Sequence, residues 1–377
     1  MLQRLYIHNF RCLENFELPA KDLHSLLLIG RNGSGKSSIA SALEVFQNIG
    51  RGTNRVAELI SPKDFSWKKP GIPIKLILEC ILDGKRYEYT LAFELPNGFQ
   101  ELRVCEEELR IDGVPSYSRE KAQVSLTGRK RDVQFKVDWH LVALPIVQVE
   151  SEEDPVNKFR NWLARMIILS PVPSLINGES HGESLEPSRS GSNLGEWVTG
   201  LLSRFPAAYR ELDEYLRSIM PDLRDIRNEL IGRNAKSLVI RFGTDGATLT
   251  IDFNDLSDGE KCFFLIATVL AANEYYGPLL CFWDEPDNYL HLSEIQHNIA
   301  ALRRAFAKSG QFIAAAHNEH VIDCFSSENT FVLDRSSHLL PTVNRSSHLL
   351  PTVIRPLEGL SIAKNLIESI TLGEPVQ

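Results

Sequence analysis

Cysteine is sparse: Cys12, Cys80, Cys105, Cys262, Cys281 and Cys324 are the only six in 377 residues, and no two form a C-x-x-C pair. This spacing argues against a zinc site or a disulfide framework and suits reduced thiols. No apolar run approaches the ~18 residues of a membrane span. The opening Met1-Leu2-Gln3-Arg4 leads into a strand-like run rather than a signal peptide, so the expected location is cytoplasmic. Positive charge is not in excess, with 41 Lys and Arg against 49 Asp and Glu and a net charge of −8. A generally basic nucleic-acid coat is therefore excluded, and any DNA contact needs a local patch. Sustained a/d heptads are also missing, which excludes long coiled-coil arms. What is present is ordinary for a globular chain: 43% hydrophobic and 24% charged residues, with length enough for two or three subdomains.

The most informative stretch is Gly30-Arg31-Asn32-Gly33-Ser34-Gly35-Lys36-Ser37, which fits G-x-x-x-x-G-K-[ST] at every defined position. Leu26–Ile29 ahead of it has the composition of a buried strand, and Ser38–Phe46 after it carries apolar residues at helical spacing. The glycines let successive backbone N–H groups curl around one anion at the N-terminus of the next helix. Lys36 is the candidate for the β- and γ-phosphates and Ser37 for Mg²⁺.

Other stretches join it in order. Ile7-His8-Asn9-Phe10-Arg11-Cys12-Leu13 precedes the loop, and Leu256-Ser257-Asp258-Gly259-Glu260-Lys261 opens a helical run over Cys262–Tyr276. Leu279–Trp283 is an apolar strand ending in Asp284-Glu285-Pro286, followed by Asp287-Asn288-Tyr289-Leu290-His291, and Phe312–Ala316 ends at His317. Together these resemble the RecF and SMC class of ATP-binding-cassette ATPases, including the stand-alone AAA-type ATPases of bacterial anti-phage defence systems.

That resemblance covers roughly residues 1–50 and 250–335. It implies an α/β P-loop NTPase with a central mixed or parallel sheet, an antiparallel β lobe, a helical insert and no coiled-coil arms. The expected divisions are 1–50 and 237–377 for the ATPase core, 51–150 for the lobe and 151–236 for the insert. The implied ligands are ATP and Mg²⁺. Arg11 and Asn32 become candidate phosphate contacts beside Gly30, Arg31, Gly33, Ser34, Gly35, Lys36, Ser37 and Ser38. Ser257, Asp258, Gly259 and Glu260 would close on ATP held by a second subunit, although the usual signature has glycine where Asp258 stands. Asp284 with Ser37 is assigned to the metal. Glu285 acts on the attacking water, and His317 touches the γ-phosphate. Gln148, at the end of an expected strand Leu141–Val149, is the candidate γ-phosphate-sensing glutamine at the metal. Residues 287–291 resemble a loop that crosses the dimer interface.

Between the motifs, Ile74–Leu82, Arg86–Glu94, Leu102–Ile111, Val133–Val137 and Leu141–Val149 alternate as an antiparallel meander with Asp83-Gly84, Pro96-Asn97-Gly98 and Asp112-Gly113 as turns. Arg119-Glu120-Lys121 and Arg129-Lys130-Arg131 form the densest basic stretch, which reads better as a solvated hairpin than as a nucleic-acid contact. Ser151–Lys236 reads as mostly helical. Residues 335–344 and 345–354 are a tandem repeat, too few copies for a solenoid, and Pro356–Leu372 has the pattern of an amphipathic helix.

The implied function is an ATPase that dimerises around two ATP molecules. What it controls is a separate nuclease or toxin effector in the first reading; the alternative is a RecF-like DNA-repair clamp. A transporter subunit fits poorly, because the 50–250 insert is too large.

Overall fold

Period-two burial along Ile74–Leu82 and the fully buried run Ser25–Ile29 announce two kinds of strand, and both occur. The computed structural model describes residues 1–127, 133–149, 151–334 and 353–357. The basic run Arg129-Lys130-Arg131, nearly all of the tandem repeat and the expected C-terminal helix lie outside the described residues. The chain divides into two units, Met1–Met166 with Ser327–Gln377, and Ile167–Ser326.

The first unit holds an antiparallel sheet of eight strands. These are β1 (Leu2–His8), β2 (Phe16–Pro19), β4 (Ile74–Leu82), β5 (Lys85–Glu94), β6 (Arg103–Ile111), β7 (Val114–Glu120), β8 (Gln123–Leu126) and β9 (Val133–Lys136), in the order β2-β1-β4-β5-β6-β7-β8-β9. The Asp83-Gly84 and Asp112-Gly113 turns have positive φ at both residues, as a tight hairpin with right-handed strand twist requires. Separately, β3 (Ser25–Ile29) pairs in parallel with β17 (Thr330–Asp334), which pairs antiparallel with β18 (Val353–Pro356).

Helix α1 (Lys36–Gly50) follows β3; α2 (Val56–Leu59) is a single turn, and α3 (Pro155–Ala164) lies against α1. Gly50 is required there, since a Cβ would stand 2.4 Å from the Ala164 nitrogen. Gln47 of α1 and Arg51 at its C-cap donate to the Met166 and Ala164 carbonyls at 2.6 and 3.2 Å. Phe46, Tyr89 and Phe159 meet edge to face, at 5.9 and 5.7 Å between centroids, joining both helices to β5.

Two expectations fail in this unit. Arg119-Glu120-Lys121 is not a solvated hairpin throughout: Arg119 faces inward on β7, directly across from Glu107 on β6, and both side chains are fully buried. A charged residue at an inward position disguised the strand's alternation. The expected strand Leu141–Val149 does not form. Pro145 has no N–H to give a ladder, and Glu107 takes the Ala143 and Leu144 N–H groups, so the segment makes a 3₁₀ turn at Leu144–Ile146.

In the second unit, β10 (Ile167–Leu169), β15 (Leu280–Asp284) and β16 (Gln311–Ala316) run parallel in that order, with every residue buried. Helices α4 (Leu194–Arg204), α5 (Ala208–Ile219), α6 (Asp258–Tyr276), α7 (Leu292–Lys308) and the short α8 (Glu319–Ile322) accompany them. A second sheet joins β11 (Glu179–Ser180), β12 (Leu223–Leu230), β13 (Lys236–Thr244) and β14 (Ala247–Asp252).

The expectation that 151–236 is mostly helical is corrected by β10, β11 and β12. Arg210 and Arg217 do lie on α5, paired one turn away with Glu214 and Asp213. Arg227, however, pairs two residues away with Asp225 on one face of β12, a period of two that resembles a charged helix face in composition alone. The longest helix among the described residues, α6, has nineteen residues, and none is long and apolar enough to cross a membrane.

Candidate functional site

In the first unit the phosphate-loop motif connects β3 to α1. A Cβ on Gly30 would stand 2.4 Å from the Leu333 carbonyl of β17, so only glycine lets the loop leave the strand there. Gly33 and Gly35 have φ of 79° and 112°, in the left-handed region. Gly35 is the N-cap of α1; it supplies no capping side chain, and no acid lies in the first turn. The amides and partial positive charge at that helix start are consequently suited to an anion from outside.

Lys36 is 6% exposed, and its ammonium donates to the Gly30 carbonyl at 2.7 Å, folding back across its own loop. Asn32, Gly33 and Ser37 are exposed, Arg31 and Ser38 half-buried, and Ser34 buried.

The turn after β1 is joined to this loop's helix. Asn9 and Arg11 both have positive φ, 53° and 55°. Arg11 donates from Nε to Asp64 Oδ1 at 3.0 Å and from Nη1 to Ser41 Oγ on α1 at 2.6 Å. Cys12 Sγ lies 3.4 Å from Ser38 Oγ. Arg11 is thus brought to the first turns of α1.

The second unit assembles the later motifs. β15 delivers Asp284, 7% exposed, at its carboxyl end. Glu285 then adopts φ 58°, and its N–H donates to the Ala315 carbonyl of β16 at 2.7 Å. His317, one residue past β16, puts Nδ1 2.7 Å from Glu285 Oε2. The histidine expected at a γ-phosphate therefore touches the carboxylate expected to handle water. Asp287 is 6% exposed, and its Oδ1 has no hydrogen-bond partner among the described residues.

Ser257 caps α6 in a reciprocal capping box: its Oγ accepts from the Glu260 N–H at 3.4 Å, and its own N–H and hydroxyl donate to Glu260 Oε2 at 2.8 and 2.6 Å. Asp258 is exposed at the first position of that helix. Gly259 faces the loop after Glu285, since a Cβ there would lie 3.1 Å from the Tyr289 carbonyl. Tyr289 is itself left-handed, with φ 70°. Burial pushes the neighbouring Cys262 thiol up to about 12, with the Asp258 charge adding to it, so the thiol stays protonated at neutral pH.

The signature turn, the Asp-Glu pair and His317 thus belong to one unit, and the phosphate loop with Arg11 to the other. Gln148 is exposed and outside any strand, which removes the reason for choosing it, namely the end of strand 141–149. Asp64, which binds Arg11, is not among the sequence candidates, although Ser61-Pro62-Lys63-Asp64 carries the S-x-x-D capping pattern that marks it. The donor set fits the implied ligands. A glycine-built cradle at an uncapped helix start suits phosphate, and the Ser37 hydroxyl of the first unit and the Asp284 carboxylate of the second are each a hard oxygen donor of the kind Mg²⁺ takes.

No curated protein matches the chain. Among solved structures it resembles an SMC head bound to the C-winged helix domain of ScpA (TM-score 0.53, 16% identity, 95% of this chain and 98% of that one). It also resembles an SMC head with an extended coiled coil bound to the C-terminal domain of ScpA, derived from Pyrococcus furiosus (TM-score 0.50, 14% identity, 98% and 99%). At these identities the likeness is one of fold, the α/β P-loop fold of the SMC head domains. Residues 25–323 match one family over most of the chain, and the protein belongs to that family, described as "AAA domain, putative AbiEii toxin, Type IV TA system".

Proposed function

We propose that this protein is an ATP-binding and ATP-hydrolysing switch subunit of the cytoplasm, closing as a pair around ATP and controlling a separate effector in bacterial anti-phage defence. The observation that carries the nucleotide reading is the loop at 30–37. Gly30 has no room for a Cβ, Gly33 and Gly35 are left-handed, and Lys36 lies across an uncapped helix start. The family's toxin–antitoxin description supports a role beside a second component. In this reading residues 1–50 and 237–377 build the ATPase core, 51–150 the lobe and 151–236 the insert.

The chain's own groups divide the work. The 30–38 amides and Lys36 hold the β- and γ-phosphates, with Arg11 and Asn32 beside them. Ser37, and separately Asp284, would each supply an oxygen to Mg²⁺, which when bound would neutralise charge on the phosphate oxygens. Glu285 orients the attacking water and accepts its proton as the γ-phosphorus–oxygen bond breaks and ADP leaves with the electron pair. His317 brings Nδ1 within 2.7 Å of Glu285 Oε2, close enough to act on the same water or phosphate oxygen. Ser257 and the Gly259 amide of a second copy complete the enclosure. ATP acts as a switch ligand because it favours the closed pair over the open one.

Lys36→Ala tests the first step. Titration calorimetry is expected to show ATP binding by the wild type and none by the variant; retained affinity refutes the loop assignment. Co-purification with a neighbouring gene product tests the effector reading, which gives way to the DNA-clamp reading if ATPase rate rises on duplex DNA alone.

A further inference from the structure

We infer that Asp64 is a positioning residue for nucleotide phosphate, holding the Arg11 guanidinium against α1 through a relay Asp64–Arg11–Ser41–Ser37. This rests on the reading of residues 30–37 as an ATP site. The relay is visible bond by bond. Arg11 stands in a left-handed conformation that any residue with a Cβ disfavours. Two bonds to one residue keep it there: its N–H donates to the Asp64 carbonyl at 2.6 Å and its Nε to Asp64 Oδ1 at 3.0 Å. Nη1 then donates to Ser41 Oγ at 2.6 Å, and Ser41 Oγ donates to the Ser37 carbonyl at 3.0 Å, in the first turn of α1.

Asp64 is itself fixed. Its Oδ2 accepts from Ser61 N and Oγ at 2.9 and 3.0 Å, leaving Oδ1 for the arginine. The Asp64 side chain is 16% exposed and that of Arg11 43%. A carboxylate holding an arginine without burying it is suited to orientation rather than to stability, because a half-exposed ion pair is worth little by itself.

A guanidinium has five N–H donors, and Asp64 and Ser41 use two of them. The remaining edge can meet a polyphosphate oxygen with its plane already set. Phe10 lies under it at 5.2 Å and limits its swing. Ordering a free arginine side chain opposes binding, and Asp64 has done that ordering beforehand. Lysine, a point charge without a fixed plane, has no equivalent use for such a partner.

The test is ATP affinity by calorimetry on the full chain. Asp64→Asn is expected to weaken ATP binding by about tenfold, the scale of one hydrogen bond to a charged group. Arg11→Ala weakens it at least as much, and the Arg11→Ala/Asp64→Asn double variant matches Arg11→Ala alone, because the two act as one unit. Ser61→Ala removes one of the two hydrogen bonds that fix Asp64 Oδ2, the hydroxyl one, and leaves the backbone N–H in place. It is expected to weaken ATP binding less than Asp64→Asn does, and thermal midpoints measured on every variant separate positioning from folding. Ser41→Ala approaches from the α1 end and keeps the relay testable if Asp64→Asn does not fold; it too is expected to be non-additive with Arg11→Ala. Wild-type affinity in Asp64→Asn, or losses that add in full to Arg11→Ala, overturn the relay while Lys36→Ala still reports on the ATP reading. If the wild type binds no ATP, both fall.

Discussion

Glu107 and Glu285 are both carboxylates drawn in from solvent, yet their surroundings are opposite. Glu107 in the first unit is fully buried and saturated. Its Oε1 accepts from the Tyr89 and Tyr117 hydroxyls at 3.0 Å, its oxygens take the Ala143 and Leu144 N–H groups, and Arg119 stands 3.6 Å away. Arg119 in turn donates to the carbonyls of Lys121, Asp138 and Leu141. Glu285 in the second unit sits on a left-handed backbone, keeps 20% of its side chain open and touches a histidine that is 53% exposed. One cluster uses charge to fasten a segment without a ladder of its own, the other keeps charge accessible on a conformation under strain. The difference sets a satisfied, buried charge against an accessible, strained one without reference to motifs.

The sharpest way to break this contrast is to remove each carboxylate. Glu107→Ala leaves Arg119 buried without its partner and two tyrosine hydroxyls without an acceptor, so denaturant unfolding is expected to lose about 3–5 kcal/mol. A loss below about 1 kcal/mol would mean that water enters and the cluster is not closed. Glu285→Gln keeps shape, and its thermal midpoint is expected to stay near wild type, while ATP turnover falls by about 10²-fold or more with ATP binding retained. Normal turnover in that variant moves the water-handling role elsewhere.

The closed cluster also has an alkaline signature. Burial, and then the Glu107 charge, hold the Tyr89 hydroxyl well above its ordinary value; the same two causes raise Tyr117, with Tyr89 adding. For a raised group, stability is fully present below the unfolded value, about 10, and is lost as pH climbs from there toward the folded value. The lobe is expected to weaken above about pH 10, with late tyrosinate absorbance at 295 nm that coincides with unfolding. Early ionisation of both tyrosines in the folded state would contradict the burial.

The sequence made the open cluster legible and the closed one invisible, for a physical reason. Phosphate loops and Asp-Glu strand ends need particular residues at fixed offsets, so Gly30–Ser37 and Asp284-Glu285 stand out from local spacing. The pairing of Glu107 with Arg119 depends on strand register, and an inward arginine breaks the alternation that would have revealed β7. The same holds for Leu141–Val149, whose apolar residues looked like a strand until Glu107 claimed two of its N–H groups. Strand β12 was hidden by charged residues paired at a spacing of two. Hairpin turns such as Asp83-Gly84 were readable because positive φ leaves a short menu of residues.

Asp287 sharpens the contrast at its finest scale. It is as buried as a structural acid, at 6% exposure, but Oδ1 has no hydrogen-bond partner among the described residues, a condition that stability alone disfavours. It lies in the loop bracketed by the left-handed Glu285 and Tyr289, whose carbonyl faces Gly259 at the start of α6. If this loop belongs with the working charges, Asp287→Asn should leave stability unchanged or raise it by about 0.5–1 kcal/mol, since relieving a strained functional position commonly stabilises. ATP turnover should fall in the same variant. Thermal unfolding and a steady-state ATPase assay on one preparation decide it: a stability loss approaching that of Glu107→Ala, with turnover intact, would move Asp287 to the structural side.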